Sequence, residues 1–572
     1  MKIALAQLNP TVADIAGNTA RALEMLNSAS DAGADLVVFP ELAVSAYPHK
    51  DLVFERGFVH ACEHAADALA QHAPADLTFA IGSLVVGEHG RAHNAALVYR
   101  NGSRIATYAK RLLPTYDVFD EDRFYAHGDE PCIFECAGLR VGVCICEDLW
   151  FGRDAGSEHR YAGRQDPVHA LCDTQPDGST GAELIVSLSA SPYVIGKHAK
   201  HTRILCDHAR RHSVHVASVN LVGAHDEIIF DGRSSLVSPD GTTIHQCGAF
   251  AEDIVVLDVD GTKVSTHTQM DDLDELAHAL PFGIHEYCAK TGHEKVIIGL
   301  SGGIDSALVA ALAARALGPE SVICVAMPGP YSSAHSLTDA RTQANALGVQ
   351  YIEAPIADAF IGIRATLDAP FDLLHQPRIG AVSPDLAEQN IQARARGLVL
   401  MTISNRIPRS LVLTTGNKSE IAVGYCTLYG DMCGGLAPIS DLVKTRVWDL
   451  SRYLNEHHAR LGFAYPPIPQ QVIDKPPSAE LAPDQTDEAD LMKYADLDAI
   501  VELHIEHALD EQSIATQTGI ALSEVQRIVR RIRINEYKRK QMATGLKVTG
   551  KAFGYGRRFP IAHRFKLSDN ND

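Results

Sequence analysis

Residues 144–150, CICEDLW, set two cysteines two apart and follow them with a pair of carboxylates. A thiolate can attack an amide carbon without help from a metal. It then needs a group to take and return a proton, and a cation for the oxyanion of the tetrahedral intermediate. Two earlier stretches hold such groups. FPELAVSAYP puts Glu41 just past an apolar run, and YAKRLLPTYDVFDEDRFY puts Lys110 at the start of a loop. GVCICEDLW, within the run LRVGVCICEDL, puts Cys146 at a strand end, so all three stand at strand ends, where an α/β fold can bring them together. Spacing alone leaves other readings open. In a strand Cys144 and Cys146 face the same way, and any one cysteine is most often a small core residue. A CxC metal pair or disulfide needs partners that the other scattered cysteines do not frame.

A second constellation lies in the other half. The strand-like KVIIG runs into LSGGIDS and then into the helix former ALVAALAARAL. Such a turn aims backbone N–H groups and a helix N-terminus at an anionic oxygen. It has neither the lysine of a P-loop nor the spacing of a dinucleotide fingerprint. Asp305 stands where phosphate would bind, and like charges repel unless a hard divalent cation, Mg²⁺ above all, lies between them. Ser301, Gly302, Gly303, Asp305 and Ser306 together therefore read as a phosphate loop. HAKH puts His198 and His201 on one helix face, but no third ligand is evident, so a solvated face is expected.

The elements that must position these residues follow from the pattern. At 572 residues the chain is too long for one core, so two or three domains are expected. Apolar residues make up 46% and charged residues 21%, as in an ordinary globular protein. No apolar run reaches the roughly 18 residues a membrane span needs. MKIALAQLNP reads as a buried strand rather than a signal peptide, which points to the cytoplasm and to reduced thiols. The net charge of −20 argues against a general nucleic-acid surface, although RIVRRIRINEYKRKQ is locally basic and could meet a phosphate-bearing ligand. Up to about residue 260, strand-like runs such as KIALAQL, DLVVFPEL and AELIVSLSASP alternate with helical stretches. The pattern lapses near 262–275. A second βα series then runs through EKVIIG, SVICVAMPG, VQYIEAPI and SLVLTTGN, the signature of an open parallel sheet, and the end of the chain reads as helical. DKPPSAELAPDQTDEADL is turn-prone.

SGGIDS resembles the pyrophosphate-binding loop of the N-type ATP pyrophosphatases. PYSSAHSLTDA, EQNIQARARG, TTGNKSEIAVGYCTLYGDMCGG and KPPSAELAPDQTDE narrow the resemblance to the NAD synthetases. The segments around Glu41, Lys110 and Cys146 resemble the Glu-Lys-Cys triad of the nitrilase superfamily, specifically the glutaminase domain fused to NAD synthetases. That resemblance implies an α-β-β-α sandwich over 1–262, a linker over 263–275 and an open parallel-sheet, Rossmann-like ATP pyrophosphatase domain over 276–572. It selects Cys146 as the nucleophile, with Glu41 moving the proton and Lys110 lowering the thiol pKa and holding the oxyanion. Tyr116, Ser191 and Lys197 would contact glutamine, Glu121 would help to position it, and Asp148 would be structural. Gly299, Leu300, Ser301, Gly302, Gly303, Ile304, Asp305, Ser306, Thr415 and Lys444 would bind ATP. Asn390, Arg394, Glu420 and Lys538 would hold deamido-NAD, and Asp305 and Glu420 would ligate Mg²⁺. One departure is Gly329 in MPGPYSS, where the family leads one to expect a serine. Another ATP-pyrophosphatase amidotransferase would need a different glutaminase triad or a cysteine after the initiator, where Lys2 stands. The resemblance further implies small-molecule substrates (glutamine, ATP, deamido-NAD), no membrane or nucleic acid, at least a homodimer, and an ammonia passage between domains. Residues 365–390 and 475–488 are the candidates for closing on substrate.

Overall fold

The apolar runs of the first half become strands covered on both faces. β1 (Lys2–Gln7), β2 (Leu36–Val38), β3 (Thr78–Val86), β4 (Ala92–Arg100) and β5 (Ser103–Ala109) join β14 (Asp253–Asp258) in one sheet, ordered β14-β1-β2-β3-β4-β5. β6 (Cys132–Cys136), β7 (Leu139–Ile145), β8 (Leu184–Ser189), β9 (His215–Asn220), β12 (Ser235–Val237) and β13 (Thr243–Gln246) form a second, ordered β13-β12-β9-β8-β7-β6. The central strands β1-β2-β3 and β7-β8-β9 run parallel, and β10 (Val222–His225) pairs with β11 (Ile228–Asp231) as a hairpin.

Side-chain alternation sorts these strands into layers. Ile3, Leu5 and Val38 of the first sheet meet Val141, Val143 and Val219 of the second in one buried cluster. The outer face of the first sheet, with Ala4, Val37 and Phe79, packs on Met25 and Leu26 of the Ile15–Asp31 helix and Ala66 and Leu69 of the Phe58–His72 helix. The outer face of the second, with Cys144, Ile185 and Val216, packs on Ile204, Leu205 and Ala209 of the Lys197–His212 helix. The layers are therefore α-β-β-α, as expected. Each fully buried Leu or Ile here contributes roughly 1.5–3 kcal/mol.

The second half builds β15 (Lys295–Gly299), β16 (Val322–Ala326), β17 (Gln350–Glu353), β18 (Ser410–Leu413), β19 (Leu436–Ala437) and β20 (Thr544–Gly545) into an all-parallel sheet, ordered β17-β16-β15-β18-β19-β20. The strand order reverses between β15 and β18, and an open sheet offers its ligand crevice at the carboxyl ends of such a pair. The Ile304–Leu317 helix is buried over most of its length, which is why its sequence is apolar all round. The helices Tyr494–Ile505, Glu511–Thr518 and Leu522–Ile534 pack with Ile421 and Val423 into a separate cluster.

This computed structural model describes residues 1–87, 90–152, 159–175, 178–262, 270–382, 385–482 and 485–564. The chain divides into two units, Met1–Met270 and Asp271–Asp572. The expected linker ended at 275, whereas Asp271 already caps the Asp272–Thr291 helix, accepting from the Asp274 amide at 2.8 Å. Its acidic first turn, which read as lost pattern, suits a helix N-terminus. Residues 263–269 of that linker lie outside the described residues. Of the two closure candidates, 365–373 is the end of the Ala357–Leu373 helix rather than a loop, and 475–482 is irregular. Among the described residues no helix is long and apolar enough to cross a membrane.

Candidate active sites

In the first unit, Glu41 follows β2, Lys110 follows β5 and Cys146 follows β7. Cys146 has φ of +42°, in the left-handed region, so it leaves the alternation of its strand. Cys144 packs on the helix side of its sheet, whereas Cys146 lies in the cluster between the sheets. That difference separates two cysteines that spacing could not.

Lys110 Nζ donates to Glu41 at 2.7 Å and to Glu121 at 2.9 Å, and all three side chains are at most 2% exposed. A buried charge cluster survives only when its lone pairs are occupied. Glu41 meets that condition, accepting also from Asn94 Nδ2 at 2.7 Å and from the Ala190 amide at 2.9 Å. Burial opposes the charge on Lys110, but Glu121 and Glu41 outweigh it and hold its pKa well above the ordinary value. Burial pushes Glu121 up to about 8 against the pull of Lys110. Burial, and then Glu41, also push the Cys146 thiol well above its usual value, and Lys110 only partly opposes them. The expected thiol with a lowered pKa is thus corrected: in a dry site beside a carboxylate, one ammonium does not win.

Of Tyr116, Ser191 and Lys197, the last two bond each other and Tyr116 bonds Glu147. Tyr116 donates to Glu147 at 2.9 Å, Tyr161 donates to the other oxygen of Glu147 at 2.6 Å, and Arg160 lies 3.6 Å over the Tyr116 ring. Lys197 Nζ donates to Ser191 Oγ at 2.8 Å and to the Pro192 carbonyl at 3.0 Å. Glu147 was not legible as a site residue; its only signal was its place directly after Cys146. Asp148 accepts from Tyr108 Oη and from the Leu112 and Ile145 amides, a structural pin as expected. HAKH is corrected. His201 stacks on Trp150 with ring centroids 5.8 Å apart, and His198 bonds Gln246 at 3.2 Å. Burial lowers His201 to about 3 and His198 to about 4; both rings are half-buried, with His201 lying against Trp150, rather than fully solvated.

In the second unit a cavity of about 850 Å³ opens at the ends of β15 and β18, and every residue expected for ATP, metal or deamido-NAD lines it except Gly302. Gly302 lies beneath. Its φ is +79°, and a Cβ there would stand 2.3 Å from the Ser336 carbonyl oxygen. The loop is braced from within: the Ser301 amide donates to Ser306 Oγ at 3.2 Å, and the Gly303 amide donates to Ser301 Oγ at 3.2 Å.

Lys444, 1% exposed, bridges Asp305 and Glu420, with Glu420 at 3.1 Å. Asn417 donates to the other oxygen of Asp305 at 2.9 Å. Burial pushes Glu420 up to about 8 against Lys444, and Asp305 and Asp487 add to the push. Asp487 accepts from Tyr494 Oη at 3.1 Å, while its Oδ1 is buried with no hydrogen-bond partner among the described residues. Among the expected nucleotide contacts, Asn390 accepts from Thr427 at 2.9 Å, Arg394 donates to the Leu428 carbonyl at 3.2 Å, and Lys538 donates to the Gly424 and Cys426 carbonyls at 2.8 and 2.7 Å. A Cβ on Gly329 would lie 2.9 Å from Arg396 Nη2, so the guanidinium fills the place where a serine was expected. Arg396, Asn417 and Asp487 were not legible as neighbours of this cavity because they reach it through contacts far apart in sequence.

The carbon-nitrogen hydrolase family matches residues 2–157, and the NAD synthase family matches residues 276–542. A glutamine-dependent NAD(+) synthetase of Synechocystis is 42% identical, over 98% of this chain and 99% of its own length. One of Thermotoga maritima is 39% identical over 99% of both. The solved structure of the glutamine-dependent NAD+ synthetase of Acinetobacter baumannii, in complex with adenosine diphosphate, superposes with a TM-score of 0.73 at 34% identity over 98% of each chain. A carbon-nitrogen hydrolase half followed by an NAD synthase half, matched end to end by these relatives, means that the chain belongs to the glutamine-dependent NAD(+) synthetases.

Proposed function

We propose that the first unit hydrolyses glutamine to glutamate and ammonia, and that the second spends ATP to amidate deamido-NAD, giving NAD, AMP and pyrophosphate. Cys146 sulfur attacks the carboxamide carbon while its proton passes to Glu41, which suits a thiol that rests protonated. The oxyanion is met by Lys110. As the C–N bond breaks, Glu41 returns the proton to the leaving nitrogen, and water then cleaves the thioester. Ser191 and Lys197 would hold one end of glutamine, and Tyr116 with Glu147 the other.

In the second unit the deamido-NAD carboxylate attacks the α-phosphorus of ATP, pyrophosphate leaves, and ammonia displaces AMP from the acyl carbon. The loop of residues 301–306 would cradle the phosphates, with the amides that open the Ile304–Leu317 helix turned to them, Thr415 would hold the nucleotide, and Lys444 the charge growing on pyrophosphate. Asn390, Arg394, Glu420 and Lys538 would hold deamido-NAD. Two carboxylates on a phosphate cavity are the donor set that Mg²⁺ takes when phosphate and water supply the rest, so Asp305 and Glu420 fit it. When bound, the ion would neutralise phosphate charge. The observation that carries the reading is the buried contact of Lys110 with Glu41 at 2.7 Å, at strand ends 69 residues apart. The chain acts in the cytoplasm and is at least a homodimer. Leu373, Leu386 and Leu398, 82%, 69% and 65% exposed, leave apolar surface for a second copy to cover. Light scattering that finds a monomer refutes the dimer.

The test is NAD formation from deamido-NAD, ATP and Mg²⁺, with glutamine or high ammonium, for wild type and Cys146→Ala. The variant is expected to lose the glutamine reaction and keep the ammonium one. Absence of NAD from either source in wild type refutes the reading of the second unit. Glutamine use by the variant moves the nucleophile to Cys144.

A further inference from the structure

The Lys444–Glu456 helix begins without a cap of its own: Val443, at the N-cap position, offers no side-chain acceptor. The first amides of a helix must still find partners, and Ser, Thr, Asp or Asn at the N-cap normally supplies one. Here two residues from other helices supply them. The Lys444 amide donates to Ser419 Oγ at 2.9 Å, and the Thr445 amide donates to Asp498 Oδ2 at 2.8 Å. Ser419 Oγ in turn donates to Asp498 Oδ1. Asp498 is 4% exposed and Ser419 is fully buried, so water does not compete.

The two residues bridged in this way are neighbours of the site. Ser419 directly precedes Glu420 in the Lys418–Val423 helix, and Lys444 is the first residue of the helix that is capped. The cap of the shorter helix, Asn417, accepts from the Glu420 amide at 3.0 Å and reaches Asp305. We propose that Asp498, from the Tyr494–Ile505 helix, is a positioning residue for the ATP-cleaving step: with Ser419 it caps the Lys444 helix from outside and fixes Lys444 relative to Glu420. Lys444 Nζ then stands between Asp305 and Glu420 without its own backbone being free to slide. A misplacement near 1 Å of such a group costs about 100-fold in rate. The proposal rests on the role given to Lys444 above.

Ammonium-driven NAD formation by the full-length enzyme, with kcat and the KM for ATP measured separately, tests it in D498A, D498N, S419A, S419A/D498A and K444A. D498A is expected to lower kcat about 10- to 100-fold while the KM for ATP moves less than about threefold. D498N keeps an oxygen for the Thr445 amide and is expected to recover most of the loss. S419A removes one hydrogen bond and is expected to lower kcat about fivefold, and the double variant should be no slower than D498A. A wild-type kcat in D498A with only a lower melting temperature overturns the proposal, as does a double variant as slow as the product of the two singles. If D498A does not fold, a wild-type kcat in S419A overturns it equally. An unchanged kcat in K444A refutes instead the role given to Lys444.

Discussion

Lys110 is shared by two buried glutamates to which the proposed mechanism gives different work. Glu41 is held by Lys110, Asn94 and the Ala190 amide, whereas Glu121, pushed up to about 8 by burial, touches Lys110. Glu41→Gln should lower glutamine hydrolysis about 10²- to 10⁴-fold. Glu121→Gln keeps an oxygen for Lys110 and should cost clearly less. Equal losses in a steady-state glutaminase assay would remove the distinction. A second residue-scale consequence concerns His49, 2% exposed between Ser45 Oγ at 2.9 Å and Tyr125 Oη at 3.0 Å. Burial lowers it from 6.5 to about 4. Below pH 6.5 the unfolded chain takes up a proton that the folded one refuses, so stability falls as pH drops through that window. The loss nears about 3 kcal/mol by pH 4. His49→Gln should flatten the melting temperature between pH 6.5 and 5, and a slope equal to wild type counts against it.

At the scale of elements, the phosphate loop shows which glycine the fold demands. Gly302 takes a positive φ and faces the Ser336 carbonyl at the start of the Ala334–Leu347 helix. At Gly303 a Cβ would meet only Ser301 Oγ, at 3.3 Å. Gly302→Ala should raise the KM for ATP at least about tenfold, combining roughly 1–2 kcal/mol of left-handed strain with the clash, while Gly303→Ala should raise it less. The reverse order in ATP kinetics would sink the assignment. SGGIDS was legible as a phosphate loop because strand, turn and helix are adjacent in sequence. The need for Gly302 was not legible, since the Ser336 carbonyl arrives from 34 residues away. Local pattern likewise revealed β7 but not the left-handed turn that separates Cys146 from Cys144. It gave the helical spacing of HAKH without the Trp150 that the helix covers, and the thiol's neighbours without the burial that outweighs Lys110.

At the scale of the molecule, the two halves were legible from the break in periodicity, because each carries its own alternation of strands and helices. Their cores are separate: one unit closes around the clusters between and outside its two sheets, the other around a single parallel sheet and its terminal helices. A chain cut between Met270 and Asp271 should therefore give two folded parts. The second is expected to make NAD from ammonium and not from glutamine, and the first to release ammonia from glutamine. Mixing them separates hand-over from diffusion. Ammonia freed into water at neutral pH is mostly protonated and no longer a nucleophile, so the mixture should make NAD from glutamine far more slowly than the intact chain at the same rate of glutamine hydrolysis. The comparison is run at equal glutaminase activity, with free ammonium and NAD followed together. If the mixture matches the intact chain, ammonia reaches the second site through bulk water and the expected passage between domains falls. If free ammonium accumulates only in the mixture, covalent connection is what keeps the nitrogen in the reaction.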